Sequence, residues 1–200
     1  MKPLLSFLLA ATACALLGAC GPIGLAVGGA ATAGVAASQE RGAAQAARDT
    51  GTQVAIGEKL FQKNIDLFGK VSSTVVEGRA LLTGVVPTQA DKDEAARQAW
   101  TVASVRDVIN EIQVTSSGGI ADFGRDTRIT TELRSKMLGD KQIIDINYNI
   151  ETVNGTIYLI GIAQNPAEVG RVVDYARAIS GVRHVISHVM MKDDPRRVRG

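Results

Sequence analysis

Apolar and polar residues follow two spacings along most of the chain, one typical of helices and one typical of strands. Apolar residues four positions apart predict helices over two stretches, Thr52–Asn64 and Thr127–Gly139. Shorter stretches rich in β-branched and apolar residues predict strands at Val71–Glu77, Ala80–Val86, Asp145–Val153 and Thr156–Ala163. Two later stretches predict one further strand each, at Val105–Val114 and Val182–Met191.

Turn and cap residues divide these elements. Glu77-Gly78 and Asn154-Gly155 separate consecutive strands, and Asn-Gly is a strong signal for a two-residue hairpin. Thr88 and Asn165 each stand beside a proline, where the N-cap of a second helix is expected. The buried faces of these second helices are predicted to carry Ala95, Ala96, Ala99 and Val102 in one, and Val172, Val173, Ala176 and Ile179 in the other.

The order helix, strand, strand, helix, strand occurs twice because the chain contains two copies of one unit. Asp49–Val114 aligns without gaps with Asp126–Met191, at a constant offset of 77 residues. We therefore predict an α+β fold in which each unit is a three-stranded mixed sheet packed on two helices that share one face. A unit of about 65 residues has a small core, so the two units are expected to pack together.

One motif recurs in both copies with the same spacing. It is Val76-x-Gly78-x-x-x-Leu82-x-Gly84 in the first copy and Val153-x-Gly155-x-x-x-Leu159-x-Gly161 in the second. This motif resembles the BON domain, and the resemblance covers nearly everything after residue 48. It implies two tandem BON domains at 49–115 and 126–192, a linker at 116–125 and a basic tail at 193–200. One departure is Ser104, which stands where the second copy has the usual Gly181.

The N-terminus has the pattern of a secretory signal peptide. A positive start precedes an apolar run, Leu4–Leu17, that is too short to span a bilayer. The run ends in Leu17-Gly18-Ala19-Cys20, which resembles the lipobox of bacterial lipoproteins. That resemblance implies removal of residues 1–19 and acylation of Cys20, and this covalent lipid is the only cofactor predicted. The alternative is an ordinary signal peptide with a chance cysteine.

Residues 20–48 are predicted to be the lipidated cysteine and a Gly/Ala-rich tether, ending in a polar, potentially helical linker at 38–48. A membrane helix is the alternative for 21–37, but the stretch is short and its many glycines disfavour a helix. In the lipoproteins that this N-terminus resembles, an Asp after the cysteine is often linked to inner-membrane retention, so the resemblance implies the outer membrane for a chain with Gly21. Lipobox, tether and two BON units together resemble the lipoproteins of the DolP/YraP type. This implies an outer-membrane protein that faces the periplasm and supports envelope integrity.

Composition excludes several classes of function. A net charge of +2 and 4% aromatic residues leave no broad basic or stacking surface for nucleic acid. His184 and His188 are separated by about 13 Å on one strand, which favours surface histidines over a metal site. Asp91, Asp93 and Glu94 stand at a helix start, where carboxylates are stabilised by the helix dipole. The sequence therefore predicts no catalytic residues, no metal and no enzyme.

The first helix of the second copy carries the candidate binding surface. Opposite its apolar stripe, the helical spacing places arginines and small hydroxyl residues, with one more arginine at the helix entry. The candidate residues are Arg125, Arg128, Thr131, Arg134, Ser135 and Leu138. Guanidinium groups pair with phosphate, small side chains allow close approach to headgroups, and an exposed leucine can enter the acyl boundary. The alternative is an ordinary solvated helix surface.

The resemblance favours membrane contact, because the second BON unit of such lipoproteins is implicated in anionic phospholipid binding through this helix. The implied partner is a membrane containing phosphatidylglycerol or cardiolipin. Relatives often carry an aromatic residue where this chain has Arg128, which implies shallower and more electrostatic binding. The tail Arg196-Arg197-Val198-Arg199 is expected to be either an additional cationic contact or a free end.

A protein-interaction adaptor is the alternative function. The tandem units would then bind a partner such as the outer-membrane assembly machinery or a division-site protein. The predicted surface is a sheet face of the last strand, carrying His184, Ile186, His188 and Met190.

Overall fold

The computed structural model describes residue 36, residues 38–115 and residues 123–197. The predicted signal peptide, Cys20, most of the predicted tether and much of the linker lie outside the described residues. The first repeat contains, in chain order, α1 (Gly42–Lys63), α2 (Ile65–Lys70), β1 (Val71–Val76), β2 (Arg79–Val86), α3 (Gln89–Trp100), β3 (Asp107–Asn110) and β4 (Gln113–Val114). The second contains α4 (Phe123–Gly139), a 3-10 turn (Asp145–Asn147), β5 (Tyr148–Val153), β6 (Thr156–Ala163), α5 (Pro166–Arg177), β7 (His184–Ser187) and β8 (Met190–Met191). Within these ranges, no helix is long and apolar enough to cross a bilayer.

Each repeat forms the predicted mixed sheet. In the first, β1 pairs antiparallel with β2, and β2 pairs parallel with both β3 and β4. The strands β5 to β8 repeat this arrangement. The third strand was predicted to be continuous and is instead divided into two segments. Its register is nevertheless unbroken, since Leu82 lies opposite Asn110 and Val85 lies opposite Gln113.

Several element boundaries differ from the prediction. α1 begins at Gly42, before the predicted start, so the C-terminal part of the predicted tether 20–48 belongs to the first helix. The apolar spacing is weak there because polar residues occupy part of the buried stripe. The short α2 was not predicted, and the Asn64 side chain caps it by accepting the backbone N–H of Asp66. In the second unit, the first strand begins only at Tyr148, because the residues before it form the 3-10 turn.

The predicted caps and core stripes are confirmed. The side-chain oxygens of Thr88 and Asn165 each accept a backbone N–H from the first turn of α3 and α5. The helical stripes are fully buried against the sheets, with Ile56 and Leu60 in α1 and Leu133 and Met137 in α4 at most 1% exposed. Each unit therefore has its own core between the helices and one face of its sheet.

One aspartate holds each hairpin turn, a role that the sequence analysis missed. In the second unit, Asp126 accepts the backbone N–H groups of Asn154 at 2.7 Å and Gly155 at 2.8 Å. Both turn residues have positive φ, as a type I′ turn requires. Asp49 binds the turn at 77–78 in the same way. The signal was the coincidence of these two aspartates in the repeat alignment.

The two sheets pack face to face, with the helices on the outer sides. The cluster between them consists of Val76, Leu81, Val153, Tyr158, Ile160 and Ile162. Equivalent positions of the two units meet across this interface. Thr74 Oγ1 donates to Glu151 Oε1 at 2.9 Å, and Glu111 Oε1 lies 2.8 Å from His188 Nε2, each pair being 77 residues apart. The predicted packing of the units is confirmed, with approximate twofold symmetry.

This packing covers the sheet face that was predicted to bind an adaptor's partner. Ile186 packs against the cluster between the sheets, Met190 is buried, and His188 is half-buried beside Glu111. Only His184 of the four predicted residues is exposed. The prediction of a free face, and of His188 as a surface histidine, is therefore wrong, because the first unit occupies that side of the sheet.

Residues just before α1 attach the first unit to the second. The Gln39 side-chain amide donates to the Ile146 carbonyl at 2.9 Å, and the Glu40 backbone N–H donates to Asn147 Oδ1 at 2.8 Å. The Glu40 carboxylate also accepts a hydrogen bond from the Gln164 amide at 3.0 Å. The chain that leads back toward Cys20 therefore enters the fold against the 3-10 turn of the second unit.

The C-terminal segment attaches the second unit to the first. The Arg197 guanidinium donates to both carboxylate oxygens of Glu77, with a shortest N–O distance of 2.8 Å. Both side chains are buried, at 3% and 2% exposed. The expectation that the tail is a free end or a cationic membrane contact is therefore wrong for Arg197, because this side chain forms a buried ion pair with Glu77 of the other unit.

Candidate functional site

α4 presents one buried stripe and one exposed face. Its buried residues are Asp126, Ile129, Leu133 and Met137. The hydrogen bonds from the hairpin turn to Asp126 fix the start of the helix against the sheet. The residues on the opposite side are exposed, and they comprise Thr127, Arg128, Thr131, Ser135 and Leu138. The sequence-predicted face is thus present for four of its six residues, Arg128, Thr131, Ser135 and Leu138.

Arg128 is exposed but already paired. Its side chain is 50% exposed, and Nη1 lies 3.1 Å from Glu132 Oε2 one turn along the helix. Nη2 donates to the Ser180 carbonyl at 2.6 Å. Gly181 lies beside this contact, where a Cβ would stand 3.5 Å from Arg128 Nη2. The guanidinium is therefore held across the end of the loop after α5, and half of its side-chain surface remains free for an anionic ligand.

Two predicted arginines do not project outward. Arg134 is half-buried, and its Nη1 donates to the carbonyls of Asp145 at 3.3 Å and Tyr148 at 3.2 Å. Arg125 is half-buried at the helix entry beside Gly181. At 100° per residue, both positions fall at the edges of the exposed face, where long side chains reach neighbouring backbone. The prediction of Arg134 as an outward-facing cation is wrong.

Exposed apolar residues stand at both ends of α4, with Leu138 on the exposed face and Phe123 at its edge, in line with Arg134. Phe123 at the start of α4 is 74% exposed, and Leu138 in its last turn is 65% exposed. The exposed side chains between them are mostly small and polar. The Thr131 hydroxyl donates a hydrogen bond to the Thr127 carbonyl at 2.9 Å. The sequence analysis missed Phe123 because it precedes the predicted start of the helix. This face combines a partly free guanidinium with two exposed apolar groups.

No cluster of metal-ligand side chains occurs among the described residues. Within the same ranges, the buried carboxylates have structural partners. Asp126 and Glu168 accept backbone N–H groups, Glu168 from Ile144 at 2.9 Å and from Gln164 at 2.6 Å. Burial raises the pKa of Glu151, and the hydrogen bond from Thr74 opposes that shift. These contacts stabilise turns and the interface between the units.

Comparisons with known proteins agree with the repeat. The BON domain family model matches residues 48–116 and 125–193. The chain is 35% identical over 145 residues to an "Uncharacterized protein in gshII 5'region" of Anaplasma centrale, which covers 72% of this chain and 95% of that protein. It is 33% identical over 148 residues to outer membrane lipoprotein DolP of Haemophilus influenzae, which covers 70% of this chain and 76% of that protein. Osmotically-inducible protein Y of Escherichia coli is 29% identical over 132 residues, covering 65% of this chain and 64% of that protein.

The family assignment rests on both repeats at once. The family model matches each repeat separately, at boundaries close to those predicted from the alignment of the chain with itself. The alignment with DolP spans more than two thirds of both chains. The chain belongs to the BON domain family, as a tandem-BON protein of the DolP-like kind.

Proposed function

We propose that this chain is a non-enzymatic outer-membrane lipoprotein, acylated at Cys20 and facing the periplasm, that binds anionic phospholipid through α4 and supports envelope integrity. The lipobox-like sequence and the similarity to outer membrane lipoprotein DolP support the location. The observation that carries the binding site is the exposed face of α4, with Phe123 and Leu138 at its ends and Arg128 between them.

The structure changes how the binding free energy is divided. An arginine near an anionic surface contributes about 1 kcal/mol, and complete burial of a large apolar side chain contributes about 1.5–3 kcal/mol. Arg134 and Arg197 are held by other contacts, so the exposed cations of α4 are Arg128 and Lys136, both beside Glu132. Since Arg125 and Arg134 are half-buried, Phe123 and Leu138 supply a larger share of the binding free energy than they would if all three predicted arginines faced the membrane.

Such a surface binds weakly as a free domain and well beside a membrane. A total of a few kcal/mol corresponds to roughly millimolar affinity. A lipid anchor holds the surface at an effective concentration on the order of millimolar, which is enough to populate the bound state. An adaptor role, the alternative from the sequence, would need a surface other than the covered sheet face.

Charge reversal at Arg128 tests the site. We expect Arg128→Glu, in the chain from residue 38 onward, to lower the affinity for phosphatidylglycerol vesicles by more than tenfold, as measured by co-sedimentation. Replacing one attraction by one repulsion costs about 2 kcal/mol near an anionic surface. Phe123→Ser combined with Leu138→Ser is expected to weaken binding more than Arg128→Glu does. The loss of binding free energy caused by this double substitution should depend less on salt than the loss caused by Arg128→Glu.

Arg97→Glu is the matched control. Arg97 is 64% exposed on a helix of the first unit and pairs with Glu94 on the same helix, much as Arg128 pairs with Glu132. The Arg97→Glu variant is expected to bind the vesicles as the unaltered chain does. Equal loss in the Arg97 and Arg128 variants would assign binding to overall charge and reject α4 as the site.

A further inference from the structure

The two units carry equivalent apolar tips, one at the end of the first helix of each repeat. Phe61 in the last turn of α1 is 53% exposed and Ile65 at the start of α2 is 67% exposed. In the second unit, Leu138 is 65% exposed and Ile144, just before the 3-10 turn, is 40% exposed. Phe61 and Leu138 occupy the same position in the repeat. The fold alone therefore offers two candidate ends for contact with an apolar phase.

The point at which the chain toward Cys20 enters the fold distinguishes these ends. Gln39 and Glu40 bind the carbonyl of Ile146 and the side chain of Asn147, at 2.9 and 2.8 Å. Ile144 lies within one turn of these residues, and its carbonyl accepts the Asn147 N–H at 3.0 Å. The entry point is therefore next to the tip of the second unit.

Arg134 places Leu138 at the same end. Its guanidinium donates to the carbonyls of Asp145 and Tyr148, on either side of the residues that receive Gln39 and Glu40. Leu138 lies one helical turn beyond Arg134, on the same side of α4. Phe61, by contrast, stands 19 residues after the start of α1. At 1.5 Å per residue, this separates the first unit's tip from the entry point by about 30 Å along the helix axis.

The charges at the second unit's tip suit an anionic surface. Lys141, between Leu138 and Ile144, is exposed. The neighbouring Asp140 carboxylate accepts the Tyr175 hydroxyl at 2.9 Å and lies 3.4 Å from Arg171 Nη1. Hydrogen bonds from the Gln142 backbone N–H and from Tyr175 hold the pKa of Asp140 below its usual value. The Asp140 carboxylate is thus paired within the protein, the second carboxylate of the tip, Asp145, is half-buried, and Lys141 faces solvent.

We propose that Leu138, Lys141 and Ile144 form a membrane-entering tip that leads α4 into the leaflet holding Cys20, so that the C-terminal end of the helix lies deeper than Phe123. This proposal rests on the proposed function. Seventeen residues lie between Cys20 and Ser38, so this segment spans at most roughly 60 Å. The end of the fold that receives this segment has the highest effective concentration at the leaflet.

Environment-sensitive probes on the full acylated chain test the orientation. With Cys20 acylated and Cys14 removed with the signal peptide, a single introduced cysteine is the only thiol to label. The variants are Leu138→Cys, Ile144→Cys, Phe123→Cys and the matched control Phe61→Cys, each carrying a nitrobenzoxadiazole label in vesicles of phosphatidylethanolamine and phosphatidylglycerol. We expect a shift to shorter emission wavelength at 138 and 144, a smaller shift at 123 and none at 61.

A probe at 61 as strongly shifted as the probe at 138, or a deeper position for 123 than for 138 and 144, would overturn the proposal. Gln39→Ala removes one donor that fixes the entry point, and it should reduce the difference between 138 and 123. An unchanged difference would assign the orientation to α4 alone. Failure of the proposed function is measured separately, as the absence of vesicle binding by the chain from residue 38 onward. The acylated chain stays at the vesicle through its lipid, so its probes report orientation whether or not that shorter chain binds.

Discussion

Gly161→Ala is expected to destabilise the protein by at least about 3 kcal/mol, because the fold leaves no room for a Cβ at this position. A Cβ at this position would stand 2.1 Å from the Asn147 carbonyl oxygen and 3.0 Å from Tyr148 Cα. Both are backbone atoms where the 3-10 turn joins β5, so relief requires the turn and the strand to move. Gly84→Ala is expected to behave alike, because its Cβ would stand 2.0 Å from the Lys70 carbonyl oxygen.

Gly170→Ala is the control for this prediction. Gly170 lies within α5, and a Cβ there would meet nothing within 4 Å. Alanine is expected to stabilise the helix by about 0.4–1 kcal/mol, since it restricts the unfolded chain. Urea unfolding of the chain from residue 38 onward, followed by far-ultraviolet circular dichroism, measures all three variants. A Gly161→Ala protein as stable as the Gly170→Ala protein would show that the close approach of strand and turn is not required.

Arg197→Ala is expected to cost about 3–5 kcal/mol, because it leaves the Glu77 carboxylate buried without its cation. The neighbouring Arg196 provides the control. Its side chain is 76% exposed and pairs with Asp194 nearby, so Arg196→Ala is expected to change stability little. Two adjacent arginines with the same charge thus differ in effect because only one is buried between the units.

A double-mutant cycle separates the pair from general packing. Glu77→Ala with Arg197→Ala is expected to cost less than the sum of the single variants, because neither charge is then left alone in the interface. Thermal unfolding supplies the comparison, and hydrogen exchange at the sheet interface shows whether the units separate before either unfolds. Strict additivity, or equal losses in the Arg196 and Arg197 variants, would contradict the assigned contact.

Much of the fold could be predicted because its signals are local and repeated. The apolar stripes that include Leu60 and Met137, and the cap residue Asn165, need only neighbouring residues to be identified. The departure at Ser104 has a structural explanation, although its partner lies 52 residues earlier in the chain. Ser104 Oγ accepts a hydrogen bond from Thr52 at 2.8 Å. Thr52 and Ser104 thus replace the second unit's contact between an apolar residue and a glycine.

The remaining features depend on contacts between residues far apart in the chain. Helical spacing placed Arg134 among outward-facing residues, but it could not show that carbonyls of the following turn would receive its guanidinium. The partner of Arg197 lies 120 residues earlier, in the other unit. His188 was predicted to be exposed because the periodicity of one strand does not reveal a second sheet. For the same reason, three arginines were predicted on the candidate surface, although Arg125 and Arg134 are half-buried.

The central claim is that α4 of the second unit meets anionic phospholipid, and amide chemical shifts test it most directly. The chain from residue 38 onward is titrated with phosphatidylglycerol micelles while the backbone N–H resonances of both units are followed. We expect the largest changes within 123–144, with resonances of the equivalent helix α1 almost unmoved. Changes concentrated in α1 to α3, or none in α4 at saturating micelle concentration, would contradict the assignment.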